Sequence, residues 1–215
     1  MRSSMSRFTI LLAGPILVTP RLLEEVRGSR TIAADAGLAH AAPLGLVPEL
    51  WVGDFDSHSP AVAEGAPPRL EYPRDKDRTD GEIAIQEAFA RGASSVLLVG
   101  AFGGRTDHVF SHLVVALRES EAGRPVTLFD GREWGFPLAR GPQSFAAEAG
   151  MQFSVLKFSD LEALTITGAR FPLYRADIPF TSILTQSNEA TGGEIAIDLA
   201  EGRAMLLLQA DPERR

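Results

Sequence analysis

The chain has 215 residues, 45% of them hydrophobic and 23% charged, which is enough material for one large core or two small ones and excludes global disorder. Its 28 acidic and 21 basic side chains leave a net charge of −7 with no lysine- or arginine-rich run, so a nucleic acid is not an expected partner. The absence of cysteine removes disulfides, thiolate zinc sites and cysteine nucleophiles together, and fits a reducing compartment such as the cytoplasm.

Met1 to Ser6 is polar, with Met1 and Met5 as alternative starts, and the apolar run Phe8–Leu12 is broken by Gly14-Pro15. That run is too short to span a membrane and has no cleavage-site pattern, so it reads as a first strand covered on both faces rather than as a signal peptide. A helix is expected over Arg21–Val26, then a strand Thr31–Ala34 that ends on Asp35 with Gly37 just beyond. A short helix from Ala39 to Leu44 closes at Gly45, and Pro48 precedes a third strand, Leu50-Trp51-Val52. Strands alternating with helices predict βαβ units and a parallel sheet, whose carboxyl ends are where site residues collect.

The third strand runs into Gly53-Asp54-Phe55-Asp56-Ser57. Alternate side chains of an extended chain share a face, so Asp54 and Asp56 point one way and Phe55 the other. Two carboxylates so placed repel each other unless a cation lies between them, and Mg²⁺ suits such oxygen ligands together with substrate phosphates. A solvated turn accounts for the same residues, because Gly, Asp and Ser all favour turns. Residues 59–69, rich in Pro, Ala and Gly, read as a connection with one helical turn, and lead into the charged segment Glu71–Asp80.

Thr79 or Asp80 caps a helix that carries Ile85, Ala88 and Phe89 at helical spacing until Gly92. The charge run before it reads either as a solvated face or as carboxylates beside a helix N-terminus, placed to hold a metal with its phosphates. Ser95–Val99 is a buried strand that feeds Gly100-Ala101-Phe102-Gly103-Gly104-Arg105-Thr106-Asp107-His108. Its glycines let backbone amides approach an anion, and Arg105 offers a forked donor that matches phosphate oxygens. Val109, Leu113, Ala116 and Leu117 share one face of the next helix, which puts Asp107 and His108 in its first turn, with His108 either structural or catalytic. Neither a Walker-type loop nor the dinucleotide fingerprint is present.

After Val126–Phe129 the pattern changes to short strands: Phe145-Ala146, Phe153–Leu156, Leu164–Ile166, Ile183–Thr185, Ile195–Ile197 and Ala204–Leu208. The last two are expected to form a hairpin across Leu199–Arg203, and the series predicts a β-sandwich. A boundary near residue 131 therefore separates an α/β domain (1–130) from an all-β domain (131–215).

The ordered set Ala34-Asp35-Ala36-Gly37, Val52-Gly53-Asp54-Phe55-Asp56-Ser57, Lys76-Asp77-Arg78-Thr79-Asp80 and Gly103-Gly104-Arg105-Thr106-Asp107-His108 resembles thiamine pyrophosphokinases, also called thiamine diphosphokinases. Weaker matches continue at Phe171-Pro172-Leu173 and Ser187-Asn188-Glu189. The resemblance implies a Rossmann-like parallel α/β domain, a C-terminal β-sandwich, and a homodimer with active sites at the subunit interface. It implies transfer of pyrophosphate from ATP to thiamine, with AMP as the other product. Asp54, Asp56 and Asp80 would hold Mg²⁺ and the phosphates, with Asp35 nearby. Lys76, Asp77, Thr79, Arg105 and Asp107 would line the nucleotide and phosphate path, and Ser187 and Asn188 would meet the thiamine ring. The chain departs from the family at Ala36, where a second glycine is usual, and at Ala39 and His112, where asparagine is usual.

Such chemistry needs positioned charge rather than a covalent nucleophile, and an aspartate, either Asp80 or Asp107, can take the proton of the acceptor hydroxyl. Two other readings share these residues: a pyrophosphokinase for another hydroxymethyl acceptor such as a pterin, and a non-catalytic nucleotide- or thiamine-binding module.

Overall fold

The computed structural model describes residues 6–54, 67–71 and 78–210. The fold is mixed α/β, with a large sheet and a separate antiparallel sheet. The chain divides into two compact units, Met1–Val115 with Gly123–Gly131, and Ala116–Ala122 with Arg132–Arg215. Among the described residues no helix is long and apolar enough to cross a membrane.

In the first unit the chain forms β1 (Ser6–Leu11), α1 (Pro20–Val26), β2 (Arg30–Ala34), β3 (Leu50–Gly53), β4 (Arg69–Glu71), α2 (Asp80–Ala90), β5 (Ala93–Val99), the first part of α3 (Thr106–Glu121, assigned to the second unit from Ala116) and β6 (Val126–Phe129). The strands lie in the order β6-β5-β1-β2-β3-β4, and every adjacent pair is parallel. Continuous apolar sequence makes the central strands: Phe8, Ile10 and Leu11 of β1 and Val96 to Val99 of β5 are buried, so residues of both faces are covered. Thr19 starts α1, its Oγ1 accepting from the Leu22 amide at 3.1 Å, and Thr79 starts α2 by accepting from the Glu82 amide at 3.2 Å. Leu22 and Val26 of α1, and Ile83, Ala84, Ile85 and Ala88 of α2, turn into the core.

The strand order reverses at β1, which pairs with β2 on one side and with β5 on the other, so the loops leaving β1 and β5 run side by side. The Leu12 amide donates to the Val99 carbonyl at 2.8 Å, and the Gly14 amide to the Gly100 carbonyl at 3.0 Å. Backbone meets backbone here without room for side chains. A Cβ on Gly14 would stand 2.4 Å from the Gly100 oxygen, and one on Gly37 would stand 2.1 Å from the Leu11 oxygen.

The helix expected over Ala39–Leu44 is instead a 3-10 segment, Asp35–His40, followed by turns. Pro43 explains the difference, since within an α-helix its ring would strike the Ala39 carbonyl and it has no N–H to donate. Strand β4, paired with β3, takes in Arg69 at the end of the expected connection and Glu71 at the start of the charged segment, while 59–66 lie outside the described residues.

The second unit contains β7 (Glu133–Pro137), β8 (Gly141–Ala147), β9 (Gln152–Lys157), β10 (Leu161–Thr167), β11 (Leu173–Ile178), β12 (Asn188–Glu189), β13 (Gly193–Leu199) and β14 (Ala204–Gln209). Antiparallel pairing links β12-β9-β14-β7, and the separate sheet is β11-β10-β13-β8. Alternate residues are buried along the strands: Phe153 and Val155, Leu206 and Leu208, Leu164 and Ile166, Ile195 and Ile197. Phe136 of β7 stacks on Trp134 and meets Phe145 of β8, each at 5.2 Å between ring centroids, so side chains of the two arrays touch.

Two expectations fail in this unit. Ile183–Thr185 is a turn, with Ile183 76% and Leu184 63% exposed. Thr185 alone bonds to β9, through its hydroxyl to the Val155 carbonyl at 2.7 Å and its carbonyl to the Val155 amide at 2.8 Å, and β-branched residues without a continued partner strand gain nothing from extension. The expected hairpin is also absent, because β13 and β14 belong to different arrays and the chain crosses between them at 200–203. Gly202, at φ 119, sits where a Cβ would meet the Asp160 oxygen at 2.4 Å, and the Arg203 amide donates to Ser159 Oγ at 2.9 Å, so this turn is held by the 159–162 segment.

Gly37→Ala should destabilise the protein by about 1–3 kcal/mol, since the methyl group can only be accommodated by moving the backbone of β1 or of the 3-10 segment. Urea unfolding checks this, and an unchanged midpoint would show that the loop contact is slack.

Candidate active site

The acids identified from sequence within the first unit sit where strands end and helices begin. Asp35 follows β2 directly and has φ 47, a left-handed conformation that aspartate tolerates better than most residues. Trp51 of β3 holds it there, the indole Nε1–H donating to the Asp35 carbonyl at 2.8 Å. Asp54 is the first residue after β3 and is half-buried, and none of the described residues bonds to its carboxylate. Asp80 opens α2 behind the Thr79 cap, where a negative charge is favoured by the helix dipole. A Cβ on Gly81 would lie 2.9 Å from Leu12 Cδ2, which puts this first turn beside the carboxyl end of β1.

Arg105 and Asp107 form a two-pronged pair at the start of α3, with Nε to Oδ1 at 3.1 Å and the terminal nitrogen to Oδ2 at 2.6 Å. The hydrogen bond from Arg105 holds the Asp107 carboxyl below the usual aspartate range, helped by the His108 amide, which donates to Oδ1 at 3.1 Å. The amides from Ala101 to Arg105 meet no acceptor among the described residues, while Gly103 and Gly104 have φ 70 and 69. Backbone amides of a glycine-rich turn are able to approach an anion, and Arg105 carries a forked cation next to them in sequence.

Three ring N–H groups that the sequence reading left without a role hold down loop carbonyls. Besides Trp51, His40 Nε2 bonds to the Gly14 carbonyl at 2.9 Å and His112 Nδ1 to the Ala101 carbonyl at 2.9 Å. The signal available in the sequence was a polar ring next to buried strand ends, where its N–H must find an acceptor. Burial pushes the His112 imidazole below the ordinary histidine value, the Ala101 carbonyl opposes that shift, and His108, 6.4 Å away edge-on, adds to it.

Asp56, Lys76 and Asp77 lie outside the described residues. The remaining members of the proposed metal set, Asp54 and Asp80, are described, and among the described residues no group of three or more His, Asp or Glu side chains could hold a metal ion. In the second unit Ser187 is exposed at φ 56 and its amide donates to Ser154 Oγ at 3.0 Å. Asn188 is buried, with its Oδ1 accepting from the Phe171 amide at 3.1 Å and its Nδ2 donating to the Phe171 carbonyl at 2.8 Å. Asn188 thus fixes the backbone at Phe171, and the hydroxyl of Ser187 is the more accessible polar group of the two.

Residues 24–128, which contain all the acids just described, match the family model of the thiamin pyrophosphokinase catalytic domain. Over that segment the chain is similar to the catalytic domain of thiamin pyrophosphokinases. The thiamine pyrophosphokinase of Bacillus subtilis is 25% identical over 186 residues, covering 84% of this chain and 87% of that protein. Its crystal structure superposes with a TM-score of 0.82 at 23% identity over 96% of this chain and all of that one. The thiamin pyrophosphokinase family protein of Enterococcus faecalis gives 0.81 at 26% identity, again over 96% of this chain and 100% of that one. The thiamin pyrophosphokinase of Candida albicans gives 0.78 at 14% identity, over 96% and 89% of the two chains, a likeness of fold. The fold common to these thiamine pyrophosphokinases therefore extends beyond the catalytic-domain match into the second unit.

Because Arg105 lowers the Asp107 pKa in the folded chain, the pair contributes to stability at neutral pH and that contribution is lost as the pH falls below the ordinary aspartate value of about 3.9. Carboxyl carbon shifts followed by NMR should show Asp107 titrating below the other exposed aspartates, and Arg105→Ala should move it back up. An Asp107 that titrates normally in the wild-type chain would show that the pair does not persist in solution.

Proposed function

We infer that the protein is a thiamine diphosphokinase, transferring a pyrophosphoryl group from ATP to the hydroxyethyl oxygen of thiamine and releasing AMP. The observation that carries this reading is the catalytic-domain match over residues 24–128, a segment that holds Asp35, Asp54, Asp56, Lys76, Asp77, Thr79, Asp80, Arg105 and Asp107 in one run. The match names thiamin and gives no support to a pterin acceptor. The retention of every acidic position speaks against a non-catalytic module.

The strand order supports a Rossmann-like reading of the first unit, with ligands received outside the carboxyl ends of β1 and β5. The unpaired amides from Ala101 to Arg105 and the Arg105 guanidinium would seat the polyphosphate of ATP, with Lys76, Asp77 and Thr79 completing its path. An all-oxygen set of Asp54, Asp56 and Asp80 fits Mg²⁺ by donor type, and Asp54 is not committed to any described partner. When bound, the ion would neutralise charge developing on the phosphates. Asp80 and Asp107 are the two aspartates proposed to take the acceptor proton, and the ion pair with Arg105 engages the Asp107 carboxylate in the free protein.

Antiparallel pairing in the second unit supports a β-sandwich reading, and we assign this unit the thiamine ring, met by Ser187, with Asn188 holding the Phe171 segment. Phe171, Tyr174, Phe180, Ile183 and Leu184 are all exposed, a density of apolar surface within 171–184 that supports a homodimer with active sites at the subunit interface. The lack of cysteine supports a cytoplasmic site of action.

Incubation with Mg-ATP and thiamine should yield AMP and thiamine diphosphate in equal amounts; ADP with thiamine monophosphate would identify a simple kinase instead. In the same assay Asp54→Asn should lower activity more than tenfold, over about 1.4 kcal/mol of barrier, without changing the thermal unfolding midpoint. Normal turnover of that variant at saturating Mg²⁺ would remove Asp54 from the site.

A further inference from the structure

We infer that His112 is a positioning residue for the anion-facing loop, fixing the orientation of the 101–102 peptide through its bond to the Ala101 carbonyl. The inference rests on the reading of the Ala101–Arg105 amides as the polyphosphate seat. A carbonyl oxygen can only accept, so the 2.9 Å contact places a proton on His112 Nδ1 and leaves Nε2 as the other ring nitrogen. In a trans peptide the C=O and the following N–H point in opposite directions, and the described chain contains no cis bond. Drawing the Ala101 oxygen toward His112 therefore turns the Phe102 N–H away from it, and that N–H has no acceptor among the described residues. The rest of the loop has little stiffness of its own, because Gly100, Gly103 and Gly104 flank this peptide at φ 79, 70 and 69.

The ring is itself well held. His112 is half-buried on α3, and a Cβ on Gly81 would stand 3.8 Å from its Nε2, so the imidazole lies between the glycine loop and the first turn of α2. A larger residue at 81 would crowd it, and Gly81 is buried with Leu12 directly over it. His112 thus links the two backbone segments on which the phosphate-facing amides and Asp80 are carried. It touches neither substrate in this role and acts through the Ala101 peptide.

Side-chain geometry supplies a test that separates this role from simple packing. The amide nitrogen of asparagine is as many bonds from the backbone as histidine Nδ1, whereas that of glutamine matches Nε2 and cannot reach Ala101 in the same way. Titration calorimetry with Mg-ATP, without thiamine, and steady-state kinetics with both substrates should be run on the wild-type chain and on His112→Asn, His112→Gln and His112→Phe. His112→Asn should keep the ATP Kd and KM within about twofold, while His112→Gln and His112→Phe should raise both about threefold to tenfold, the effect of one lost hydrogen bond, with the thiamine KM unchanged. Equal ATP affinity in all variants, glutamine performing as well as asparagine, or equal effects on ATP and thiamine would each overturn the inference. If His112→Phe does not fold, the asparagine and glutamine pair decides alone. A wild-type chain that binds no ATP would overturn the functional reading and this inference with it, whereas normal wild-type binding unaffected by the variants would overturn only the inference.

Discussion

The methyl group that Gly14 lacks would lie 2.4 Å from the Gly100 oxygen, and the one that Gly37 lacks would lie 2.1 Å from the Leu11 oxygen, so the loops after β1, β2 and β5 rest on one another through bare backbone. Most of what the site presents follows from that contact. Loops packed so closely cannot be separated by side chains, and their carbonyls are drawn into the contact or into nearby ring N–H groups. The amides of the glycine loop are then the groups left without an acceptor among the described residues. Under the proposed function, an anion seat would arise here from the disposal of carbonyls as much as from the placing of donors.

Trp51, His40 and His112 each bond one such carbonyl, those of Asp35, Gly14 and Ala101. Each bond pairs a loop carbonyl with a ring N–H, so that both groups are satisfied within the protein. It also restricts the peptide whose carbonyl it holds. At Asp35 the restriction is visible directly, since a non-glycine residue at φ 47 is retained and its carbonyl is the one that Trp51 holds. His112 occupies a position where the family resemblance leads one to expect asparagine. A ring with its donor at the δ position can make the same bond, so this departure need not loosen the loop.

How much of this was legible in the sequence differs between the two units for a physical reason. The strands of the first unit are covered on both faces, and Phe8–Leu11, Val96–Val99 and Val126–Phe129 announce themselves as unbroken apolar runs. The acids at their ends were equally legible, because Asp35, Asp54, Asp80 and Asp107 each follow a strand or open a helix. In the second unit a strand exists only where a neighbour supplies its hydrogen bonds, which composition does not encode. Ile183–Thr185 has β-forming residues without a continuous neighbour, whereas β11 and β12 form from unremarkable sequence against β10 and β9. The crossing at 200–203 was misread as a hairpin because turn residues mark a reversal without saying which array receives the chain next. The ring N–H bonds were hidden for a different reason, since they join residues 16 to 26 positions apart, or a helix to the loop before it, through geometry that no local pattern records.

The Arg105–Asp107 pair shows how such a site can be organised before its substrate arrives. Both side chains are largely exposed, at 72% and 63%, so water screens their attraction and the pair adds little to the stability of the fold. Its effect is on geometry. The carboxylate holds the guanidinium fork in one orientation at the first turn of α3, next in sequence to glycine-loop amides that have no acceptor among the described residues. A polyphosphate offers the same planar acceptor pattern with more charge, so it can share or replace Asp107 as the partner of Arg105 at small cost. A buried pair would orient the fork as well, but taking over one of its members would leave an uncompensated charge in the interior, which is strongly unfavourable. Exposure would therefore allow Arg105 to be oriented in the free protein and still be available to a phosphate under the proposed function.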